Sequence, residues 1–247
     1  TFLLIKTGDA FLMVLPEELL ESVKKRLRMY ILRSDVTLTD SSDQLCLIGL
    51  CYPATQTEPL FATTQNDLIS VNLSATQNRQ LVIAETDKAS ALWSDRLGNQ
   101  GFQPENSDQW RYLDILAGMP WLTTETSEEF IPQMLNLDIL GGISFNKGCY
   151  TGQEIVARTH YLGKTKRTMF LAECDTPSTP LPNSIIIDDG TGTEHAVGKV
   201  LLAQRSHAEH ENEESSCKLL IVLQVSDSDT YSLKLKDYNH NKITLLT

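Results

Sequence analysis

The sequence predicts an α+β protein that ends in a small antiparallel β-barrel, and three observations predict it. Amphipathic helical stretches and strand-like runs are mixed irregularly up to about residue 166. Beyond residue 167 the helical period stops, and six short apolar runs follow one another between Pro, Gly, Asn and acidic turns. The regular strand–helix alternation of a doubly wound parallel sheet is missing. With 247 residues, 41% of them apolar and 21% charged, the chain suits one large or two modest domains and is not a disordered protein.

The elements follow in order. Residues 2–6 and 10–15 read as a hairpin, with Gly8 supplying the positive φ of its turn. Pro16 opens a helix with Glu17 and Glu18 at its start and Lys24, Lys25, Arg26 and Arg28 toward its end, which complements the helix dipole. Leu19, Leu20, Val23, Leu27 and Tyr30 recur every three or four residues and give it one buried face. Strands are expected at 36–39, 45–52, 68–73 and 81–84. A helix over 88–97 follows, with Thr86 or Asp87 as its cap and Gly98 as its stop. Asn106 and Ser107 cap a further helix that carries Trp110, Leu113, Asp114 and Ala117 and ends at Gly118 and Pro120. The expected barrel strands are 168–172, 184–187, 196–202, 218–225, 231–236 and 242–246, with an acidic loop at 209–216 and a turn at Asp188-Asp189-Gly190.

Charge and cysteine usage exclude several functions. Lys and Arg number 21 against 32 Asp and Glu, a net charge of −11 that repels phosphate backbones and anionic lipid. A nucleic-acid partner therefore needs a local basic patch. The five cysteines, Cys46, Cys51, Cys149, Cys174 and Cys217, are odd in number and form no CxxC pair. Reduced thiols fit them better than a disulfide framework, a zinc ribbon or a redox pair. No apolar run approaches the roughly 18 residues of a membrane span, and Lys6, Gly8 and Asp9 interrupt any signal peptide. The chain opens on Thr1, which suggests processing or a longer parent polypeptide. No Walker loop, GxGxxG, HExxH or GxSxG occurs. His207, His210 and Glu213 lie at three-residue spacing in the acidic loop, where a solvated surface is the better reading, and no metal site is expected.

The chemistry concentrates in residues 141–167, GGISFNKGCYTGQEIVARTHYLGKTKR. Residues 143–145 read as a short strand and Asn146-Lys147-Gly148 as a turn. Thr151 and Glu154 have the spacing of a capping box that starts a helix. Cys149 then lies two residues before the cap, beside orphan N–H groups that carry about half a positive charge. Lys147 and Arg158 add positive potential. Such a setting stabilises a thiolate or binds an anion, while a small packed residue in the turn fits Cys149 equally well. Residues 147–167 hold five bases, Lys147, Arg158, Lys164, Lys166 and Arg167, against one acid, Glu154, a net of +4. A solvated hinge is the simpler account of this window. The functional one is a polyanion site for an oligoglutamate tail, a phosphate or an RNA backbone. A pure RNA-binding module ranks last, because no aromatic residue except Tyr161 is interleaved with the bases of 158–167.

Lys147-Gly148-Cys149-Tyr150-Thr151-Gly152-Gln153-Glu154 resembles the K-G-C-[YF]-x-G-Q-E signature of the YgfZ family of folate-binding proteins, relatives of the aminomethyltransferase (T protein) of the glycine cleavage system. Phe130-Ile131-Pro132-Gln133, Leu135-Asn136-Leu137 and Leu140-Gly141-Gly142-Ile143-Ser144-Phe145 match the same family in order. So does Gln109-Trp110 followed by Ala117-Gly118-Met119-Pro120. The resemblance is strong over 107–167 and weak over 1–100.

It implies interleaved T-protein/YgfZ-like domains, ferredoxin-like α+β layers in a ring around a tetrahydrofolate-type pocket, followed by the barrel. Residues 1–35 are then the remainder of an N-terminal domain and 36–105 a second α+β domain. Residues 106–166 return to the central folate-binding domain, and 167–247 form the barrel. The implied role is that of a cytoplasmic, folate-binding accessory protein in tRNA modification and in the maintenance or assembly of iron–sulfur enzymes, not a stand-alone enzyme. Its cofactor is tetrahydrofolate or a derivative, and its partners are iron–sulfur enzymes and tRNA-modifying enzymes, with direct tRNA binding left open. Trp110 matches a folate-contacting tryptophan, and an indole suits stacking on a pterin or aminobenzoyl ring; a core anchor on its helix fits as well. Lys147 and Cys149 match the signature lysine and functional cysteine, the latter as nucleophile, transient cluster ligand or redox sensor. Tyr150, Gln153 and Arg158 are candidate folate contacts.

Two departures qualify the match. Leu116 stands where T proteins have a glutamate that pairs with the pterin edge, and a buried donor left unpaired costs about 1–3 kcal/mol. The family also has a segment ahead of the position of Thr1, with a second folate-contacting tryptophan and the T-protein catalytic aspartate. The alternative function, a tetrahydrofolate-dependent aminomethyl transferase, needs a carboxylate near the folate, and Asp114 is the only acid between Trp110 and Pro120.

Overall fold

The structure, a computed structural model, describes residues 1–52, 58–74, 78–161, 163, 165–188, 190, 194–206, 216–224, 232–238 and 241–246. The chain forms two compact units: a sheet unit of residues 3–14 and 20–110, and a barrel unit of residues 1–2, 15–19 and 111–247.

The sheet unit begins with the expected hairpin. Strands β1 (Leu3–Thr7) and β2 (Ala10–Val14) pair in register from Leu3↔Val14 to Thr7↔Ala10, and Gly8 turns the chain at φ +55°. Helix α1 (Glu17–Arg28) follows with Leu19 buried and its charges ordered along the dipole. The strand expected at 36–39 does not form. These residues are irregular, Val36 is exposed, and no described strand offers them a partner for their backbone groups.

Strands β3 (Leu45–Tyr52), β4 (Thr63–Gln65), β5 (Ile69–Asn72) and β6 (Asn78–Glu85) make an antiparallel sheet in the order β3-β6-β5-β4. β4 is all polar and exposed, so it leaves no apolar signal in the sequence. Helix α2 (Thr86–Asn99) covers one face, where Ala89 and Leu92 pack on Ile48, Leu50, Val82 and Ala84. It starts two residues before the expected 88, with Glu85 at the cap position, and it runs through Gly98. Asn99 Nδ2 donates to Asp95 Oδ1 at 2.8 Å and holds the last turn, while Gly101, at φ +69°, supplies the left-handed residue that follows. Strand side chains alternate, so Leu47, Gly49 and Cys51 of β3 face the side away from α2. Helix α3 (Ser107–Leu116) is capped as expected, with the Gln109 amide donating to Asn106 Oδ1 at 2.9 Å.

The barrel unit contains a short 3-10 turn (Pro132–Leu135), helix α4 (Gln153–Tyr161) and the six expected strands. These are β7 (Arg167–Cys174), β8 (Ile185–Asp188), β9 (His195–Arg205), β10 (Cys217–Gln224), β11 (Leu233–Leu235) and β12 (Ile243–Leu245). They lie antiparallel in the order β11-β8-β9-β10-β7-β12, and a bridge between Lys234 and Lys242 brings the two edges together into a nearly closed barrel. Leu219, Ile221 and Leu223 of β10 point into the barrel core with Ala172, Val200 and Leu235. Leu220 and Val222 point outward and are covered by Ile115 of α3 and Leu135 of the 3-10 turn. Burial on both faces explains why β10 reads as a continuous apolar run instead of an alternating one. Val225, Tyr231, Asp189, most of the acidic loop with His207, His210 and Glu213, and Lys164 lie outside the described residues.

Candidate functional site

The sequence singles out residues in both units. In the sheet unit, Trp110 packs on the face of the sheet opposite α2. A Cβ built on Gly49 would lie 2.8 Å from Trp110 Cδ2 and closer still to Cε3 and Cζ3, so only glycine at this β3 position admits the ring. The guanidinium carbon of Arg79, a fully buried β6 residue on the same face, lies 4.3 Å from the indole centroid. Desolvated pairs of this kind contribute about 2 kcal/mol. Trp110 is thus an anchor of this unit, and it remains half-buried, not wholly enclosed. Nothing in the sequence around Trp110 signals Gly49 or Arg79, because the sheet brings them to it from distant segments.

In the barrel unit, Asp114 is buried and accepts from Trp121 Nε1 at 3.0 Å, so this carboxylate is engaged with an indole N–H. Leu116 is half-buried at the end of α3.

The signature loop differs from expectation in two ways. Residues 143–145 form no strand; Phe145 instead stacks on His160, with ring centroids 3.7 Å apart and planes 17° apart. An apolar ring at this point finds its partner on a helix, which leaves no extended segment to pair. The capping box is also absent. Gly152 adopts φ +88°, a conformation that suits glycine, and α4 begins at Gln153, so the cap position belongs to Gly152 and Thr151 stays outside the helix. The Gln153 amide donates to the Tyr150 carbonyl at 3.1 Å.

Cys149 therefore lies three residues before the cap, on an exposed stretch. Lys147 is exposed, with its ammonium 4.4 Å from the centroid of the Tyr150 ring, and Arg158 is exposed on α4. Gln153 is half-buried. Val156 is the buried residue of α4, and its carbonyl accepts from the buried Gln133 Nε2 at 2.7 Å, which docks the helix on the 3-10 turn. The loop thus brings Lys147, Cys149, Tyr150 and Arg158 to solvent along one segment. Their shared exposure suits recognition of a partner or ligand from outside.

Three features were not legible as sites in the sequence. Phe145, His160 and Tyr161 form an aromatic cluster in which Phe145 lies 15 residues from His160 and 16 from Tyr161, too far for any local period. Cys174 and Cys217 are register partners on β7 and β10, both fully buried, and their mutual hydrogen bond, reinforced by burial, pushes the Cys174 thiol far above the usual range. A cavity of about 250 Å³ lies between α2 and the four-stranded sheet, lined among others by Tyr52, Asp67, Ser70, Gln80 and Arg96. Among the described residues there is no group of three or more His, Cys, Asp or Glu that could hold a metal ion. No described helix is long and apolar enough to cross a membrane.

Comparison with known proteins gives a consistent answer. No protein-family model matches the chain. Proteins named tRNA-modifying protein YgfZ do. That of Hamiltonella defensa is 35% identical over 162 residues, which cover 64% of this chain and 48% of that protein. That of Escherichia coli is 36% identical over 182 residues, covering 68% and 54%. That of Colwellia psychrerythraea is 29% identical over 255 aligned residues, covering 98% and 75%. The matches thus span about half the length of the first two relatives. Among solved structures, the glycine cleavage system aminomethyltransferase T from Bartonella henselae matches all of this chain and 70% of its own, with a TM-score of 0.64 at 13% identity, a likeness of fold. Relatives of one name, one of them aligned along nearly the whole chain, make this chain similar to the proteins named tRNA-modifying protein YgfZ.

Proposed function

We propose that the chain is a folate-binding accessory protein of tRNA modification, which helps maintain or assemble iron–sulfur enzymes in the cytoplasm and is not a stand-alone enzyme. The observation that carries this reading is the similarity along 98% of the chain to a protein named tRNA-modifying protein YgfZ. The exposed Lys147–Cys149–Tyr150 stretch supports it, because a thiol meant for a partner enzyme must reach solvent. Iron–sulfur enzymes and tRNA-modifying enzymes are the partners this reading requires.

The folate part rests on the family resemblance and on Trp110. Its half-buried indole fits a flat aromatic ring. Leu116 does not fit the hydrogen-bonding edge of a pterin, since it offers no acceptor. The ligand is then a tetrahydrofolate derivative held mainly by stacking and by polar groups other than that of residue 116. Tyr150, Gln153 and Arg158 are proposed contacts on the same grounds of resemblance, each open to its own substitution.

The aminomethyltransferase fold favours a second reading, a tetrahydrofolate-dependent one-carbon transferase. Against it stands Asp114, the acid of α3 nearest the expected pterin position, which is committed to Trp121.

The test is iron–sulfur-dependent tRNA thiolation in cells whose only copy of the gene carries Cys149→Ala. Thiolation is expected to fall, and unchanged thiolation removes Cys149 from the mechanism. Calorimetric titration with tetrahydrofolate tests the folate part, and the absence of binding heat would sink it.

A further inference from the structure

We propose that Phe145, His160 and Tyr161, set among Lys147, Arg158, Lys166 and Arg167, form a stacking platform for single-stranded RNA. This deepens the preceding reading and rests on it, since it names how a factor in tRNA modification holds RNA.

The geometry of the rings comes first. Phe145 and His160 are stacked at 3.7 Å with planes 17° apart. Tyr161 stands edge-on to both, its centroid 6.0 Å from Phe145 and 4.7 Å from His160. Aromatic residues that cluster for stability are normally buried, yet Tyr161 is 66% exposed and His160 is exposed as well. Rings that hold one another in place lose little further freedom when a base stacks on them. Base–aromatic stacking is tolerant of sequence, because every base has a π-face.

Charge comes second. The chain carries a net −11, whereas Lys147, Arg158, Lys166 and Arg167 are all exposed on the segment that bears the rings, with Glu154 its acid. Among the described residues, none of these four cations is in an ion pair with a carboxylate. A positive segment in an acidic protein attracts phosphates and keeps them from the rest of the surface. The objection raised by the sequence, that the basic run lacks aromatic neighbours, is met by folding: residues 145 and 160 come together beside residue 161. The rings also choose between forms of RNA. A duplex hides its base faces and is held by its backbone, whereas unstacked bases in loops and ends can lie on aromatic rings. An acidic peptide would use the cations and leave the ring faces without a role.

The experiment is fluorescence anisotropy of the whole chain with a labelled RNA hairpin bearing a single-stranded loop, against a blunt RNA duplex of equal length and an oligoglutamate peptide. The hairpin is expected to bind more tightly than either. Tyr161→Ala and His160→Ala should each weaken hairpin binding about ten-fold and change duplex binding little. The double variant Lys166→Gln, Arg167→Gln should reduce the slope of log affinity against log salt by about 1.4. Equal binding of hairpin and duplex, indifference to Tyr161→Ala, or binding of oligoglutamate in place of RNA overturns the platform. Circular dichroism of the exposed-site variants guards against misfolding. The two readings fail separately: lost thiolation with Cys149→Ala together with no hairpin binding overturns the platform alone. Hairpin binding that depends on Tyr161, with normal thiolation in Cys149→Ala cells, supports the platform and removes the cysteine from the proposed function.

Discussion

The Arg79 guanidinium lies 4.3 Å over the Trp110 ring, on the sheet face that Gly49 leaves open for the indole. A helix residue from one segment and two strand residues from others thus make one contact, and its tightest constraint is the missing side chain at position 49. Gly49→Ala puts a methyl group inside the space of the indole, which must shift or push β3 aside. Overpacking of this kind costs about 1–3 kcal/mol. Urea unfolding should show that loss, and tryptophan emission of the folded variant should move to longer wavelength as the ring gains water. An unchanged midpoint and emission would mean that the ring is not held against Gly49.

Asp114 offers a cleaner separation of structural from catalytic roles. Its Oδ2 accepts from Trp121 Nε1 at 3.0 Å in a buried setting. Asp114→Leu leaves that donor unsatisfied and should destabilise the chain by about 1–3 kcal/mol. Asp114→Asn keeps an acceptor and should recover at least half of that. Denaturant midpoints of the two variants decide the matter: equal losses would show that the indole bond contributes nothing.

The start of α4 gives a test in which two neighbouring residues exchange roles. With Thr151 as the cap, Thr151→Ala would cost about 1 kcal/mol. The helix begins instead at Gln153, with Gly152 at φ +88°. Thr151→Ala should therefore lie within about 0.5 kcal/mol of the parent. Gly152→Ala should cost about 1–2 kcal/mol, the strain of a left-handed conformation in a residue with a Cβ. Thermal unfolding of the pair checks the order, and a larger loss for Thr151→Ala would restore the capping box.

That exchange shows where sequence reasoning stops. Apolar period reveals which face of a segment is buried, so the hairpin, α1, α3 and the barrel strands could all be read locally. It does not reveal the partner. Residues 36–39 have a strand-like pattern and, among the described residues, no strand to pair with, whereas β4, Thr63–Gln65, pairs without any apolar signal. Glycine signals a break but not which of two nearby glycines makes it, so Gly98 stands within α2 and Gly101 takes the positive φ. At the candidate site, the signature Lys147 to Glu154 was legible as a motif. The stack of Phe145 on His160 and the cover of Arg79 over Trp110 were not, because each joins residues whose spacing carries no period.

The barrel holds the most specific pH dependence. Cys174 and Cys217 face each other across β7 and β10, and the hydrogen bond between them, with burial, pushes the Cys174 thiol far above its ordinary value. The same hydrogen bond draws Cys217 down. The signs then separate by pH. A thiol with a raised folded pKa contributes stability that is complete below its unfolded value, about 8.5, and is lost progressively above it, because the unfolded chain releases a proton that the folded one keeps. The depressed Cys217 acts only below that value, where it makes stability rise with pH, and it adds no slope above. Between about pH 8.5 and 10.5 the free energy of unfolding should thus fall by up to about 1.4 kcal/mol per pH unit through Cys174. Cys174→Val, which replaces the buried thiol with a group of similar size that cannot ionise, should flatten this alkaline limb and leave the neutral-pH midpoint lower by no more than about 1.5 kcal/mol. Urea titrations of parent and variant at several alkaline pH values compare the two slopes directly, and a variant that keeps the parent's alkaline slope would assign it to groups outside the barrel core.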